Sequence, residues 1–198
     1  MTKRSDEDLV KAAGHIAYEM QQMVEAELLL DDERSAILTN ALLESELLHA
    51  RGLIELLLRR SKKEDIKADD FCTGWQLPKK AKKNLGRIKK AIDQHLAHLT
   101  WARVDDGKQE WPYPSVVEDV LEGMRDLTEA VKVGHPESGT MLAGALTLIE
   151  DKRKNRRLPT TGPTFISTTT EHAVRTTSIL AATGPPPTLG NEPKEPDL

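Results

Sequence analysis

Two histidines and an arginine with helical spacing form the best candidate site in this sequence of 198 residues. His95 and His98 are three residues apart, and Arg103 follows in the same segment. At about 100° per residue, they border the apolar stripe that contains Ile92 and Leu99. Histidine titrates near neutral pH and can transfer a proton or bind a metal. The sequence therefore predicts His95, His98 and Arg103 as catalytic residues, with a single hydrogen bond per histidine to a neighbouring helix as the structural alternative.

A second polar group lies within residues 33–60, a segment otherwise rich in leucine. Within an arc of roughly 60° the segment carries four polar residues, Asn40, Glu44, Arg51 and Glu55. Arg51 and Glu55 have the i,i+4 spacing of an ion pair. This polar stripe is interpreted either as an ion-pair seam or solvent face, or as the lining of a functional groove.

Three residue pairs have the spacing of metal ligands that project from helices into a bundle. They are Glu46 with His49, His95 with His98, and His15 with Glu19. Carboxylate di-metal bundles use two Glu-x-x-His pairs and two further glutamates, whereas this sequence has one such pair. A metal-binding bundle is therefore kept as a third hypothesis, and no metal or other cofactor is predicted.

The composition is typical of a protein that is neither exported nor embedded in a membrane. Hydrophobic residues make up 38% of the chain and charged residues 30%. Cys72 is the single cysteine, which excludes an internal disulfide and any multi-cysteine metal centre. The start is polar rather than apolar, and no apolar run approaches the ~18 residues of a membrane span. A cytoplasmic location is expected.

Charge and proline content divide the chain into two parts. Residues 1–150 have a net charge of −6, and residues 151–198 have a net charge of +2. The second part also holds 7 of the 11 prolines. Such a segment buries too little apolar surface to offset the entropy of ordering it. The sequence predicts a helical domain over 1–150, then a basic linker and a disordered Thr/Pro-rich tail over 151–198. For residues 151–157 a solvated helix end is the alternative to a linker.

The first part has the apolar periodicity of helices. Leu9, Ala13 and Ile16 begin a stripe at three- and four-residue spacing. A polar connection with Phe71 and Trp75 packed back on the bundle is expected between the second and third helices. The predicted fold is all-α, an up-and-down bundle of four or five helices. The predicted helices cover 6–30, 33–60, 79–102, 116–133 and, as a short fifth helix, 141–150.

Basic residues are concentrated between residues 59 and 90. This stretch has twelve basic and four acidic residues, a local net charge of +8 in a chain that is acidic as a whole. Phosphate contacts need little more than such a surface. Phe71 and Trp75 could stack on bases if they are exposed. The pattern favours binding of a polyanion such as RNA, with a solvated helix face as the structural alternative.

Several segments together resemble a family of uncharacterised bacterial all-helical proteins. The resemblance covers roughly residues 10–135 and leaves the tail outside. His49 and Arg51 belong to the matching pattern. The matching segments are ALLESELLHAR at 41–51, DIKADDF at 65–71, Trp75, and HLAHLTWAR at 95–103.

More distantly, the long helices with a histidine on the third are similar to HEPN domains, many of which are metal-independent ribonucleases. In those, an arginine and a histidine four to six positions later stabilise the phosphorane-like charge and move a proton as a ribose 2′-hydroxyl attacks the adjacent phosphate. Here seven residues separate Arg87 from His95, and Lys90 is the better-spaced basic residue.

The resemblance to HEPN domains implies a protein that either cleaves RNA without metal or binds RNA without cleaving it. It places the catalytic role on His95, His98 and Arg103. The residues expected to bind substrate are Arg87, Lys90, Glu44, His49 and Arg51. The alternative hypothesis is a non-enzymatic scaffold, in which the leucine-rich second helix supplies a homodimer interface and each histidine is buried and hydrogen-bonded.

Overall fold

The computed structural model of the protein is an all-α bundle, which confirms the predicted fold class. It describes residues 4–32, 35–58, 64–97, 101, 105 and 110–156. In these ranges no strand occurs. The helices are α1 (Asp6–Leu30), α2 (Ala36–Leu58), the single turn α3 (Ala68–Phe71), α4 (Lys79–Ile92) with a π-helical turn (Asp93–Ala97), α5 (Tyr113–Gly134) and α6 (Pro136–Arg156). The predicted tail over 157–198 lies outside the described residues.

A capping box fixes the start of α1. The Ser5 hydroxyl accepts a hydrogen bond from the Asp8 amide at 3.1 Å, and the Asp8 carboxylate accepts one from the Ser5 amide at 3.4 Å. Asp6, Glu7 and Asp8 also place negative charge in the first turn, where the helix dipole favours it. The helix therefore starts and ends at the predicted residues, Asp6 and Leu30.

The core lies between α1, α2, α5 and α6, with α4 covering one side. α1 packs on α2 and α6, α5 packs on α2 and α6, and α4 packs on α2 and α5. The apolar periodicity of α1 points into this core as predicted. The largest fully buried side chains are Met20, Met23, Leu47, Leu53, Ile54, Leu57, Leu85, Ile92, Leu121, Met124, Leu127 and Leu142.

A sharp corner at His135 joins α5 to α6. The His135 amide donates to the Val131 carbonyl at 2.8 Å, and the Gly139 amide donates to the His135 carbonyl at 2.9 Å. A Cβ at Gly139 would lie 2.6 Å from the Lys132 Cα, so a side chain would force the two helices apart. The last helix starts at Pro136, directly after this corner, and is longer than the predicted 141–150.

The last helix continues to Arg156 because its basic end pairs with the acidic end of α1. Lys152 Nζ lies 2.5 Å from Glu25 Oε1, and Arg156 Nη2 lies 2.7 Å from Asp32 Oδ2. The boundary predicted between residues 150 and 151 thus falls inside α6. Residues 151–156 form a helix end, which is the alternative predicted for this basic stretch, and they are half-buried or exposed.

The connection before α4 packs on the bundle, as predicted. Phe71 is buried, and the half-buried Trp75 packs against the core while its indole N–H donates to Asp126 Oδ2 at 3.2 Å. Among the helices described, none combines the length and apolarity that a bilayer crossing requires.

Candidate functional site

The amphipathic helix α4 carries most of the positive charge that the structure describes between α2 and α5. It contains seven basic residues and no acidic one. Leu85 and Ile92 are fully buried and fix its rotation against the bundle. All of the basic residues except Lys89 are exposed, and most of them lie on the opposite side.

Four of these cations share one face of the helix, because their positions follow i, i+3, i+7 and i+10. Among the described residues, Lys80, Lys83 and Lys90 form no ion pair. The helix of 14 residues is roughly 20 Å long at 1.5 Å per residue. We call this set the basic stripe: Lys80, Lys83, Arg87 and Lys90.

An open groove of about 500 Å³ runs beside the stripe, between α4 and α5. Its far wall carries Asp119 and Glu122. Asn84 donates to the Asp119 carboxylate and accepts from Arg87 Nη2 at 2.6 Å. Burial raises the pKa of Asp119, although the hydrogen bond from Asn84 opposes the shift. Three stripe residues, Lys80, Lys83 and Arg87, also line the groove, so its two carboxylates offset part of the positive charge there, whereas α4 itself carries no acidic residue on the outer surface of the stripe.

Four charged side chains form an ion-pair network between α2 and α4. Arg51 Nη2 lies 3.1 Å from Glu55 Oε1, and Arg51 Nε donates to Asp93 Oδ1 at 2.6 Å. Lys89 Nζ lies 3.2 Å from Glu55 and 2.5 Å from Asp93. Burial alone would raise the pKa of Asp93, but the hydrogen bonds from Lys89 and Arg51 hold it below its ordinary value. The predicted pair of Arg51 and Glu55 is confirmed as part of an interhelical seam.

The predicted catalytic residues follow this network along the chain. His95 is half-buried in the π-helical turn, two residues after Asp93. Single π-helical turns within helices are frequent at functional sites. His98 and Arg103 lie outside the described residues, so the structure places one of the three predicted catalytic side chains.

The remaining predicted binding residues are spread over α2 and do not converge. Glu44 is exposed in the first half of the helix. The half-buried His49 shares a 2.7 Å hydrogen bond between its Nδ1 and Glu19 Oε2, and its ring makes an edge-on contact with Tyr18. Arg51 points the other way, into the network with Asp93. Within the ranges that the structure describes, no three histidine, cysteine or acidic residues gather at metal-binding distance.

Sequence reasoning missed two features of the described residues. The first is Trp101, which is 79% exposed and is the most exposed aromatic residue among those that the structure describes. The second is Glu46, which is fully buried on α2. A helical wheel signals the burial, because Ala50, Leu53 and Leu57 follow Glu46 at i+4, i+7 and i+11 on the same face.

Comparisons with other proteins complete the description of the site. No family model matches the chain, and no curated protein or solved structure matches it either.

Proposed function

We propose that the protein binds single-stranded RNA along α4, without cleaving it. The observation that carries the proposal is the basic stripe, four exposed cations in register on a helix that has no acidic residue. In a chain with a net charge of −4, this concentrates positive potential on one surface. A phosphate backbone is the polyanion that such a linear array suits.

Phosphate contacts supply most of the affinity in this proposal. Each cation that neutralises a phosphate releases a condensed counterion, which gives a slope of about −0.7 in log K against log salt for single strands. Four contacts would give a slope near −3 by this rule. Lysine and arginine keep their charge through the neutral range, so the affinity should vary little between pH 6 and pH 8.

Trp101 supplies a stacking surface in the chain segment that follows α4. Phe71 is buried and Trp75 packs on the core, so neither of the aromatic residues expected from the sequence is offered to a base. Trp101 follows the π-helical turn by four residues, and its carbonyl accepts a hydrogen bond from the Asp105 amide at 2.9 Å. Combined cationic and aromatic surfaces favour unpaired strands, whose bases are free to stack.

Binding without cleavage is proposed because an arginine and a histidine that were expected to bind substrate are committed to contacts within the bundle. The Arg51 guanidinium is held by Glu55 and Asp93, and the His49 ring is held by Glu19. An arginine that stabilises a phosphorane-like charge must be available to the phosphate. A ribonuclease built on His95, His98 and Arg103 is the competing outcome of the test below.

The test compares two triple variants that change the net charge equally. One variant is Lys80→Gln/Lys83→Gln/Lys90→Gln on the stripe. The other is Lys11→Gln/Lys132→Gln/Lys154→Gln, which removes lysines from α1, α5 and α6. Binding of labelled polyuridine is measured by fluorescence anisotropy in chelator, and cleavage is followed on a gel.

We expect the stripe variant to lose roughly 100-fold in affinity at 0.1 M salt, because three phosphate contacts are removed. The control variant should stay within about threefold of the wild type. Equal losses in both variants would show that only net charge matters and would overturn the proposal. Cleavage that is lost in His95→Ala would replace binding with metal-independent ribonuclease activity.

A second candidate function, self-association through α2, is favoured by a different observation. Ile37, Leu38 and Leu48 are exposed on this helix, and the side chain of Ile37 is 81% exposed. Ile37 and Leu48 lie about 20° apart around the helix, and such exposed apolar side chains on one face suit packing against a second copy of the chain. Sedimentation equilibrium should then show a dimer that Ile37→Lys/Leu48→Lys dissociates, and a wild-type monomer at high concentration would contradict it.

A further inference from the structure

Glu46 is the one carboxyl on α2 that is completely enclosed. Its side chain is 0% exposed, and both of its oxygens lack a hydrogen-bond partner among the residues described. It is also the first buried residue of its helix, since residues 36–45 are all exposed or half-buried. A potential charge therefore sits at the point where α2 enters the core.

The nearest charged neighbour is a second buried acid from α1. Glu27 is 6% exposed, and its Oε1 accepts a hydrogen bond from Arg153 Nη2 of α6 at 3.0 Å. Its Oε2 is buried without a partner in the described ranges. Three of the four carboxyl oxygens of this pair thus receive no hydrogen bond.

Among the described residues of the surrounding helices, no cation is paired with Glu46. From α5, Tyr113 is close enough for the charge of Glu46 to affect its pKa, but its hydroxyl donates to Asp31 Oδ1 at 3.0 Å. From α6, Arg153 contacts Glu27 and Glu118. From α4, which packs on the later turns of α2, Lys89 contacts Glu55 and Asp93. Among the described residues, the titratable groups that interact with Glu46 are therefore an acid, Glu27, and a phenol, Tyr113.

An ionised carboxylate in this position would be unpaired, desolvated and next to Glu27. Such a charge is costly, and a buried acid instead retains its proton. Burial, and secondly the charge of Glu27, raise the pKa of Glu46 to about 8. At neutral pH the folded bundle therefore holds Glu46 as the neutral acid.

We infer that protonation of Glu46 allows the first half of α2 to stay packed on the bundle. Glu46 then acts as a latch, which is closed while the carboxyl is protonated and opens when it ionises. Residues 36–45 bury no side chain completely, and Leu43 is the one among them that packs against the core, so limited apolar contact opposes their separation. Opening them lets water reach Glu46, which then ionises like an ordinary glutamate. Low pH keeps the latch closed, and rising pH favours the open form.

The direction of the pH effect on opening follows from the linkage between the protonation of Glu46 in the closed form and in the open form. Below the ordinary pKa of 4.5 both forms are protonated and the latch is fully closed. Between about pH 5 and pH 8 the open form loses the proton and the closed form keeps it, so the opening equilibrium rises about tenfold per pH unit. Above pH 8 both forms are ionised and the rise levels off.

Hydrogen exchange of the full chain tests this latch. The amides of residues 38–47 are followed from pH 5 to pH 9, and each rate is divided by its intrinsic rate. Glu46→Gln removes the proton site with little change in shape. Glu44→Gln, two residues earlier on the exposed side of the same helix, is the matched control.

We expect the corrected opening of the wild type and of Glu44→Gln to rise more than 100-fold between pH 5 and pH 8 and to change little above pH 8. Glu46→Gln should show a flat profile. Similar slopes in Glu46→Gln and the wild type would overturn the inference. The infrared carbonyl band of a protonated carboxylic acid in the wild type at pH 7 gives a test that needs no variant, and its absence would also overturn the inference.

Discussion

The basic stripe on α4 and the acidic pair between α1 and α2 place like charges close together in opposite environments. The stripe cations are exposed, so water and salt screen their repulsion and the charge is available to a ligand. Glu27 and Glu46 are enclosed, so their repulsion is weakly screened and the pair responds by keeping a proton. Burial therefore decides whether clustered charge is available for binding or responds to pH.

The ion-pair network of α2 and α4 lies between these extremes. Its members are about a quarter exposed or less, and opposite charges alternate within it. Neither a free positive potential nor a retained proton results, because each charge is neutralised locally. The network therefore serves the packing of α4, and through it the orientation of the stripe.

The largest expected effect concerns Glu46 in the buried acidic pair. Glu46→Gln should raise the free energy of unfolding by about 3 kcal/mol at pH 7, because the unfolded state no longer gains from ionising this residue. The stabilisation should vanish below the ordinary pKa of 4.5, where the wild-type carboxyl is protonated in both states. Urea unfolding from pH 4 to pH 8 measures it.

Glu44→Gln supplies the control for this comparison, because Glu44 is exposed on the same helix. Its unfolding free energy should stay within about 0.5 kcal/mol of the wild type at every pH. A pH-independent difference for Glu46→Gln would mean that Glu46 is ionised in the folded protein, and the contrast between the two regions would fail.

A smaller effect is expected at Trp101, and it tests the part of the exposed surface in RNA binding. Trp101→Leu should weaken binding of single-stranded RNA about tenfold, because one base loses its stacking partner. Trp101→Phe should restore most of the affinity. The matched control is Tyr18→Leu, which removes another exposed aromatic residue from α1. If Trp101→Leu and Tyr18→Leu have equal effects on RNA binding measured by anisotropy, stacking on Trp101 does not contribute to the affinity.

The smallest effect is expected in the network. A double-mutant cycle with Arg51→Gln and Asp93→Asn should give a coupling of about 1 kcal/mol in urea unfolding, as for a partly exposed pair. Since the pKa of Asp93 is lowered, this coupling should be present at neutral pH and be lost as the pH falls through the lowered value. A coupling of zero at neutral pH would contradict the role of the network in holding α4 against α2.

The parts of the fold that depend on local patterns could be predicted from the sequence. The bounds of α1 follow from Ser5 and from its apolar spacing, and the pair of Arg51 and Glu55 follows from i,i+4 geometry. The parts that depend on tertiary placement could not. Asp93 joins the network only because α4 lies against α2, which no spacing within either helix specifies.

The burial of Glu46 shows a different kind of failure. The wheel of α2 places it on the apolar face, but a glutamate there is usually interpreted as a metal ligand or an ion-pair member. Both interpretations assume a partner, and the structure supplies none among the described residues. Only the packing of α1 and α5 reveals that protonation is the remaining way to neutralise it.

The most direct test of the central claim is the salt dependence of RNA binding by the stripe variant and its control. Log affinity for polyuridine is measured against log salt for Lys80→Gln/Lys83→Gln/Lys90→Gln, for Lys11→Gln/Lys132→Gln/Lys154→Gln and for the wild type. We predict a wild-type slope near −3. The slope should become shallower by about 2 in the stripe variant and stay unchanged in the control. Parallel slopes in all three proteins would contradict RNA binding along α4.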